Sequence, residues 1–144
     1  MTALVLPADA HRCQYRVLYG DTDSGGVVYY ANYLRFFERG RTEFMRDRLV
    51  AYRLLENEGM ILPVVESWCR YKAPARYDDL LLLETAMVEA REVSCRFHYR
   101  VSRAGDPRQL AMGYTVHAVV DRQGKLSRFP AELLARLKGL VTPV

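Results

Sequence analysis

Cysteine is scarce in this chain. Cys13, Cys69 and Cys95 are the only three, and they lie far apart. An odd, dispersed set forms no CxxC pair and no disulfide framework. Cys69 and Cys95 fall in strand-like runs and read as reduced core residues, which suits a reducing cytoplasm. Histidine is equally sparse. His11, His98 and His117 have no ligand spacing between them, so no metal site is expected. No run approaches the roughly 18 apolar residues of a membrane-spanning helix. Met1 to Ala10 lacks a basic start and a long apolar centre, so it reads as a frayed leader to the first strand and not as a signal peptide. GxxxxGK[ST], GxGxxG and GxSxG are all missing, which removes the phosphate loop, the dinucleotide fingerprint and the serine-hydrolase elbow. The arginines are scattered and form no basic helix, so nucleic acid is not an expected partner.

The 144 residues suit one domain, 1–144, with 50% hydrophobic and 26% charged residues, the balance of a globular protein with a real core. The net charge of +4 favours anionic partners without identifying them. His11 to Tyr19 alternates and reads as a strand, with Cys13, Tyr15, Val17 and Tyr19 on one face. Leu34 to Asp47 reads as a helix capped by Asn32, with Tyr33, Phe37, Gly40 and Phe44 on one side and Leu34, Met45 and Leu49 widening the stripe. Gly40 costs that helix up to about 1 kcal/mol against alanine, and close packing on a broad sheet is its expected reason. A short helix over 49–57 ends at Gly59.

Three further strands are clear, over Met60–Lys72, Leu80–Arg91 and the alternating run Val93–Val101, where His98 is expected on the exposed polar face. Trp68 is expected in the core. A last strand carries Leu110, Met112, Tyr114, Val116, Ala118 and Val120 on its apolar face, with His117 opposite, where contact with a subunit interface is the lesser of the alternatives. Pro130 opens a terminal helix with Leu133, Leu134, Leu137 and Leu140 inward. Short connections make the sheet antiparallel. The expected class is α+β, five antiparallel strands wrapped around one long helix.

The chain is organised around Tyr19-Gly20-Asp21-Thr22-Asp23-Ser24-Gly25-Gly26-Val27-Val28-Tyr29-Tyr30-Ala31-Asn32-Tyr33, a strand-to-helix turn with two carboxylates and two adjacent glycines. A carboxylate beside the free N–H groups of a helix start is placed to attack or polarise a carbonyl. A solvated polar turn is the alternative. A calcium loop is disfavoured, because Gly25 and Asn32 stand where an oxygen ligand and a bidentate glutamate are needed.

This stretch resembles the signature of the 4-hydroxybenzoyl-CoA thioesterase family of hotdog-fold proteins. Phe36-Phe37-Glu38-Arg39-Gly40-Arg41-Thr42-Glu43 and Tyr71-Lys72-Ala73-Pro74-Ala75-Arg76-Tyr77-Asp78-Asp79 are similar to the Tol-Pal-associated acyl-CoA thioesterases within it. The resemblance implies a hotdog fold and hydrolysis of acyl-CoA thioesters without metal or other cofactor. It makes Asp23 the catalytic nucleophile or general base and the Tyr30 backbone N–H the group that polarises the thioester carbonyl, with Asp21 a motif position outside the chemistry. Val28, Tyr29, Lys72 and Arg91 are assigned to substrate binding. Many of these relatives carry histidine where this chain has Tyr30. Of a basic cluster that contacts the CoA phosphate in aromatic-substrate relatives, only Arg91 is retained, in Arg91-Glu92-Val93. A homodimer or homotetramer is implied, with an acyl carrier protein as an alternative partner. A non-catalytic acyl-CoA or acyl-carrier-protein binding module is the competing reading. A hotdog dehydratase needs a histidine that this turn lacks.

Overall fold

The computed structural model describes residues 4–142. Five strands form one antiparallel sheet in the order β1-β3-β4-β5-β2. They are β1 (His11–Arg16), β2 (Val64–Tyr71), β3 (Leu80–Ala90), β4 (Ser94–Arg103) and β5 (Gln109–Ala118). The long helix α1 (Asn32–Arg48) crosses the inner face, α2 (Tyr52–Asn57) follows it, and α3 (Ala131–Leu140) closes the far end. This is the hotdog arrangement.

β1 is shorter than its alternation suggested. Cys13, Tyr15 and Val17 do face α1, but Tyr19 enters a 3-10 turn and is exposed. Asn32 is the first helical residue and not the cap, because its side-chain amide donates to the main-chain oxygen of Asp21 at 2.8 Å. Pro130 stands just before α3 for the same positional reason that favours it at a helix start.

α1 buries Tyr33, Phe36, Phe37, Gly40, Phe44 and Met45, while Leu34 is left exposed. The helix lies very close to the sheet, and two glycines allow it. A Cβ at Gly40 would collide with the Thr85 hydroxyl, and one at Gly113 would collide with the Trp68 carbonyl and come within 2.6 Å of the Phe37 ring. This closeness reverses the reading of β5. The inner face of β5 is Ala111, Gly113, Thr115 and His117, whereas Tyr114 and Val116 lie on the outer face and are half-buried. The inner face is small at Gly113 because the Phe37 ring of α1 fills the space that a side chain would take. His117 is therefore fully buried in the core and does not reach an interface. Trp68 is not core either. It lies half-buried on the outer face, stacked on Tyr114.

The leader is not frayed over the described residues. Leu6 and Ala10 are buried against Ala86 and Val88 on the outer face, and His98 is buried there instead of exposed. Met1 to Ala3 of that leader lie outside the described residues. His98 stays neutral more readily than a free histidine, because burial and then the neighbouring Arg96 disfavour its charged form.

Candidate active site

The two aspartates of the motif have different work. Asp21 is buried, and its Oδ2 accepts hydrogen bonds from the Tyr15 hydroxyl at 2.6 Å and the Leu18 N–H at 2.8 Å. Its main-chain oxygen accepts from the Tyr29 N–H and from the Asn32 amide. Arg35 stands 3.8 Å from its Oδ1. Each of these bonds ties β1, the turn and the start of α1 together. Burial, and then the hydrogen bond to Asp21, push the Tyr15 phenol up to about 12, so it remains a donor. Asp21 holds the loop through Oδ2 and its main-chain oxygen, and Arg35 stands beside its Oδ1.

Asp23 is exposed. Its Oδ1 accepts the Gly25 N–H at 2.8 Å, and its main-chain groups bond Val27 O and Gly26 N–H. The turn needs Gly26 at φ +81, a conformation that costs a side-chain-bearing residue energy. The second carboxylate oxygen of Asp23 has no partner among the described residues.

The Tyr30 N–H likewise has no acceptor among the described residues. It belongs to the same peptide unit as the Tyr29 carbonyl, which accepts the Asn32 N–H at 2.9 Å. That bond polarises the unit and makes the Tyr30 N–H a better donor. On the other side, the Tyr71 hydroxyl donates to the Tyr30 carbonyl at 3.0 Å.

An open groove of about 330 Å³ adjoins this loop, lined by Val28, Tyr30, Tyr33, Tyr71, Lys72 and Pro74 among others. The Val28 side chain is buried, and its N–H bonds the Ala75 carbonyl at 2.8 Å. Tyr29 packs on Tyr30 with ring centroids 4.8 Å apart. Of the residues singled out in the sequence, Asp23, Val28, Tyr29, Tyr30 and Lys72 are thus gathered around one loop and groove. Arg91 is not with them. It follows β3 at the end away from Leu80, about 30 Å along an 11-residue strand, and its Nε pairs with Glu89 at 2.6 Å. Arg70 alternates with Cys69 and points to the outer face. Glu43 pairs with Arg46 one helical turn on, at the helix surface. Tyr71 was missed. The signal was its position, at the tip of a strand directly before Lys72-Ala73-Pro74.

A profile of the thioesterase-like superfamily matches residues 17–137. The chain belongs to that family. It is a thioester hydrolase with the hotdog fold. It is 32% identical over 123 residues to a putative esterase of Aquifex aeolicus, covering 85% of this chain and 94% of the relative. It is 41% identical over 93 residues to the acyl-CoA thioester hydrolase YbgC of Escherichia coli, covering 65% of this chain and 69% of that one. A crystal structure of a hypothetical protein, TT1821 of Thermus thermophilus, superposes with a TM-score of 0.85 at 30% identity, covering 92% of this chain and 98% of that one. No helix of the thioesterase, among the described residues, is long and apolar enough to cross a membrane. No cluster of three or more metal-ligating side chains occurs among those residues.

Proposed function

We propose that this protein hydrolyses acyl-CoA thioesters to the free acid and CoA, with Asp23 as the reacting carboxylate and the Tyr30 N–H as the donor to the carbonyl oxygen. The observation that carries this reading is a pair of unengaged groups on one rigid loop: an exposed carboxylate oxygen and a polarised N–H without an acceptor. A carbonyl oxygen bound at Tyr30 gains negative charge as its carbon is attacked, and a fixed donor stabilises that charge more than it stabilises the ground state. As nucleophile, Asp23 bonds the acyl carbon, CoA leaves as thiolate, and water cleaves the anhydride. As general base, Asp23 takes a proton from the water that attacks.

Hydrolysis of a panel of acyl-CoAs, followed with a thiol-detecting reagent, tests the proposal. Binding without release of thiol would favour the non-catalytic module. A single turnover in oxygen-18 water, combined with trapping, separates the two routes. Label in Asp23 marks an anhydride cleaved at the Asp23 carboxyl carbon, and acyl transfer to hydroxylamine during turnover marks an anhydride cleaved at the acyl carbon; label in the acid with neither of these is the base route.

A homodimer or homotetramer is part of this proposal. β2 is an edge strand with Val64 49% and Val65 61% exposed, an arrangement that calls for cover. Light scattering at micromolar concentration is expected to give a dimer or tetramer, and a stable, active monomer would overturn it. The same proposal gives Arg91 its place. Within one chain it is remote from Asp23, so it meets the nucleotide only from a neighbouring subunit. KM for acyl-CoA is expected to rise with salt, because exposed charges are screened over about 8 Å at physiological ionic strength. Arg91→Ala should raise KM and flatten that dependence while kcat changes less. A KM indifferent to both salt and the substitution would place the nucleotide elsewhere or make an acyl carrier protein the true donor.

A further inference from the structure

Beneath α1 runs a row of buried polar groups that the hydrolysis described above does not use. The Arg41 guanidinium lies 3.1 Å from the Tyr99 hydroxyl, that hydroxyl is 2.6 Å from the Thr115 hydroxyl, and Thr115 is 2.8 Å from His117 Nε2. His117 Nδ1 is 3.0 Å from the Leu62 carbonyl. Tyr99, Thr115 and His117 are fully or almost fully buried.

The direction of every bond in the row follows from chemistry. A carbonyl only accepts, so His117 Nδ1 carries a proton. Burial, and then the nearby Arg41 charge, hold His117 down at about 4, so the ring is neutral and Nε2 is an acceptor. Thr115 must donate to it, Tyr99 must donate to Thr115, and Arg41, which only donates, supplies Tyr99. Both hydroxyl protons are therefore committed inward.

Arg41 is half-buried at the head of this row. Arg46 and Arg100 have glutamate partners, but Arg41 forms no salt bridge among the described residues. It lines a cavity of about 260 Å³ with Leu34, Arg35, Glu38, Val64, Ser67 and Thr115. Leu34 and Val64 form an apolar lip that is exposed in the single chain and lies at the β2 edge that a neighbouring subunit would cover. The cavity runs from Leu34, in the first turn of α1, to Arg41 near its middle, and the groove at the motif adjoins the start of the same helix through Tyr30 and Tyr33. Glu38 also reaches the rim, although not within ion-pair distance of Arg41. Since Tyr99 and Thr115 have no proton to offer, the donors left for a ligand are the remaining guanidinium N–H groups of Arg41, with Arg35 at the rim, and the Ser67 hydroxyl. That donor set matches an oxygen that accepts only, and a carboxylate is the acceptor that best matches a guanidinium.

We propose that the Arg41 cavity is a specificity pocket for acyl groups whose far end carries a carboxylate, with Arg41 the residue that selects them and the Tyr99–Thr115–His117 row the device that fixes its position. The identification of the cavity with the acyl group rests on the thioesterase reading.

The test compares adipyl-CoA with hexanoyl-CoA, equal in chain length and different only in the terminal carboxylate. The wild-type protein should show a kcat/KM ratio favouring adipyl-CoA by roughly tenfold or more, the effect of one hydrogen-bonded charge pair. In Arg41→Gln that ratio should fall by a similar factor, and Arg41→Lys should recover part of it. Ser67→Asp places a negative charge in the pocket and should lower the ratio even if Arg41→Gln fails to fold, with light scattering checking that the variant assembles as the wild-type protein does. A wild-type preference for hexanoyl-CoA, or a ratio unmoved by these substitutions, would overturn the proposal and leave the hydrolase reading intact. Turnover of neither ester would count against that reading instead. The pocket is then read by calorimetric titration with free adipate and hexanoate: adipate binding that is lost in Ser67→Asp supports it, and no wild-type preference for adipate overturns it.

Discussion

Replacing Asp23 by asparagine is expected to lower kcat by about two to four orders of magnitude, the range over which a positioned proton-transfer or nucleophilic carboxylate contributes. The fold should survive, because asparagine keeps an oxygen that can accept the Gly25 N–H. KM should change little, since the substitution removes an interaction made in the transition state. Asp21→Asn has the opposite signature. Asp21 Oδ2 accepts two hydrogen bonds at a buried position. An asparagine oxygen can still accept both bonds, but its NH2 group then stands beside Arg35 without an acceptor, so a loss of about 1–3 kcal/mol in stability is expected. Thermal unfolding and steady-state kinetics on the two variants distinguish these roles. Near-wild-type kcat in Asp23→Asn together with a catalytic collapse in a well-folded Asp21→Asn would mean that the reacting carboxylate is the buried one.

The second large effect is structural. Gly113→Ala puts a methyl group against the Trp68 carbonyl, which is fixed in the β2–β5 ladder, and against the Phe37 ring, which is buried and itself stacked on Tyr99 at 4.5 Å. Neither neighbour has a free direction in which to move. Overpacking of this kind costs about 3 kcal/mol, a fall of about 6–12 °C in Tm for a chain of this size. Gly40→Ala should cost less, because the group it meets is the Thr85 hydroxyl, which has no hydrogen-bond partner to lose. Differential scanning calorimetry on the two variants checks the order. If Gly113→Ala melts with the wild-type protein, α1 does not lie as close to β5 as described.

The succession of elements along the chain and the buried stripe of α1 were readable because they rest on periodicity, whereas the place of β2 beside β5 and not β3 has no periodic signal. Tyr33, Phe37, Gly40 and Phe44 recur at helical spacing, and all four are buried. The loop was readable because the groups proposed for the chemistry are contiguous: Asp23 and Tyr30 lie within one turn. β5 was misread for a physical reason. Alternation says which residues share a face, but it assigns the inside to the larger apolar set, and here the inside at Gly113 is filled by the Phe37 ring. His117 shares that inner face and is satisfied there by Thr115 and the Leu62 carbonyl. His98 was misplaced because its cover comes from a leader distant in sequence, through Leu6 and Ala10, which carries no periodic signal. Arg41 stood inside a recognised segment, yet its partners Tyr99, Thr115 and His117 come from two other strands, and only the register of β4 on β5 brings them together.

That row of hydrogen bonds also decides how protons move inside the protein. Its mouth is a guanidinium, which does not give up its proton in water's accessible range, and its far end is a main-chain carbonyl, which does not take one. Every hydrogen in between already points the same way. The row is thus an insulator for protons, and it carries no charge from the solvent to the core. The pH profile of the enzyme should accordingly be set by groups at the surface loop, with His117 silent throughout the neutral range.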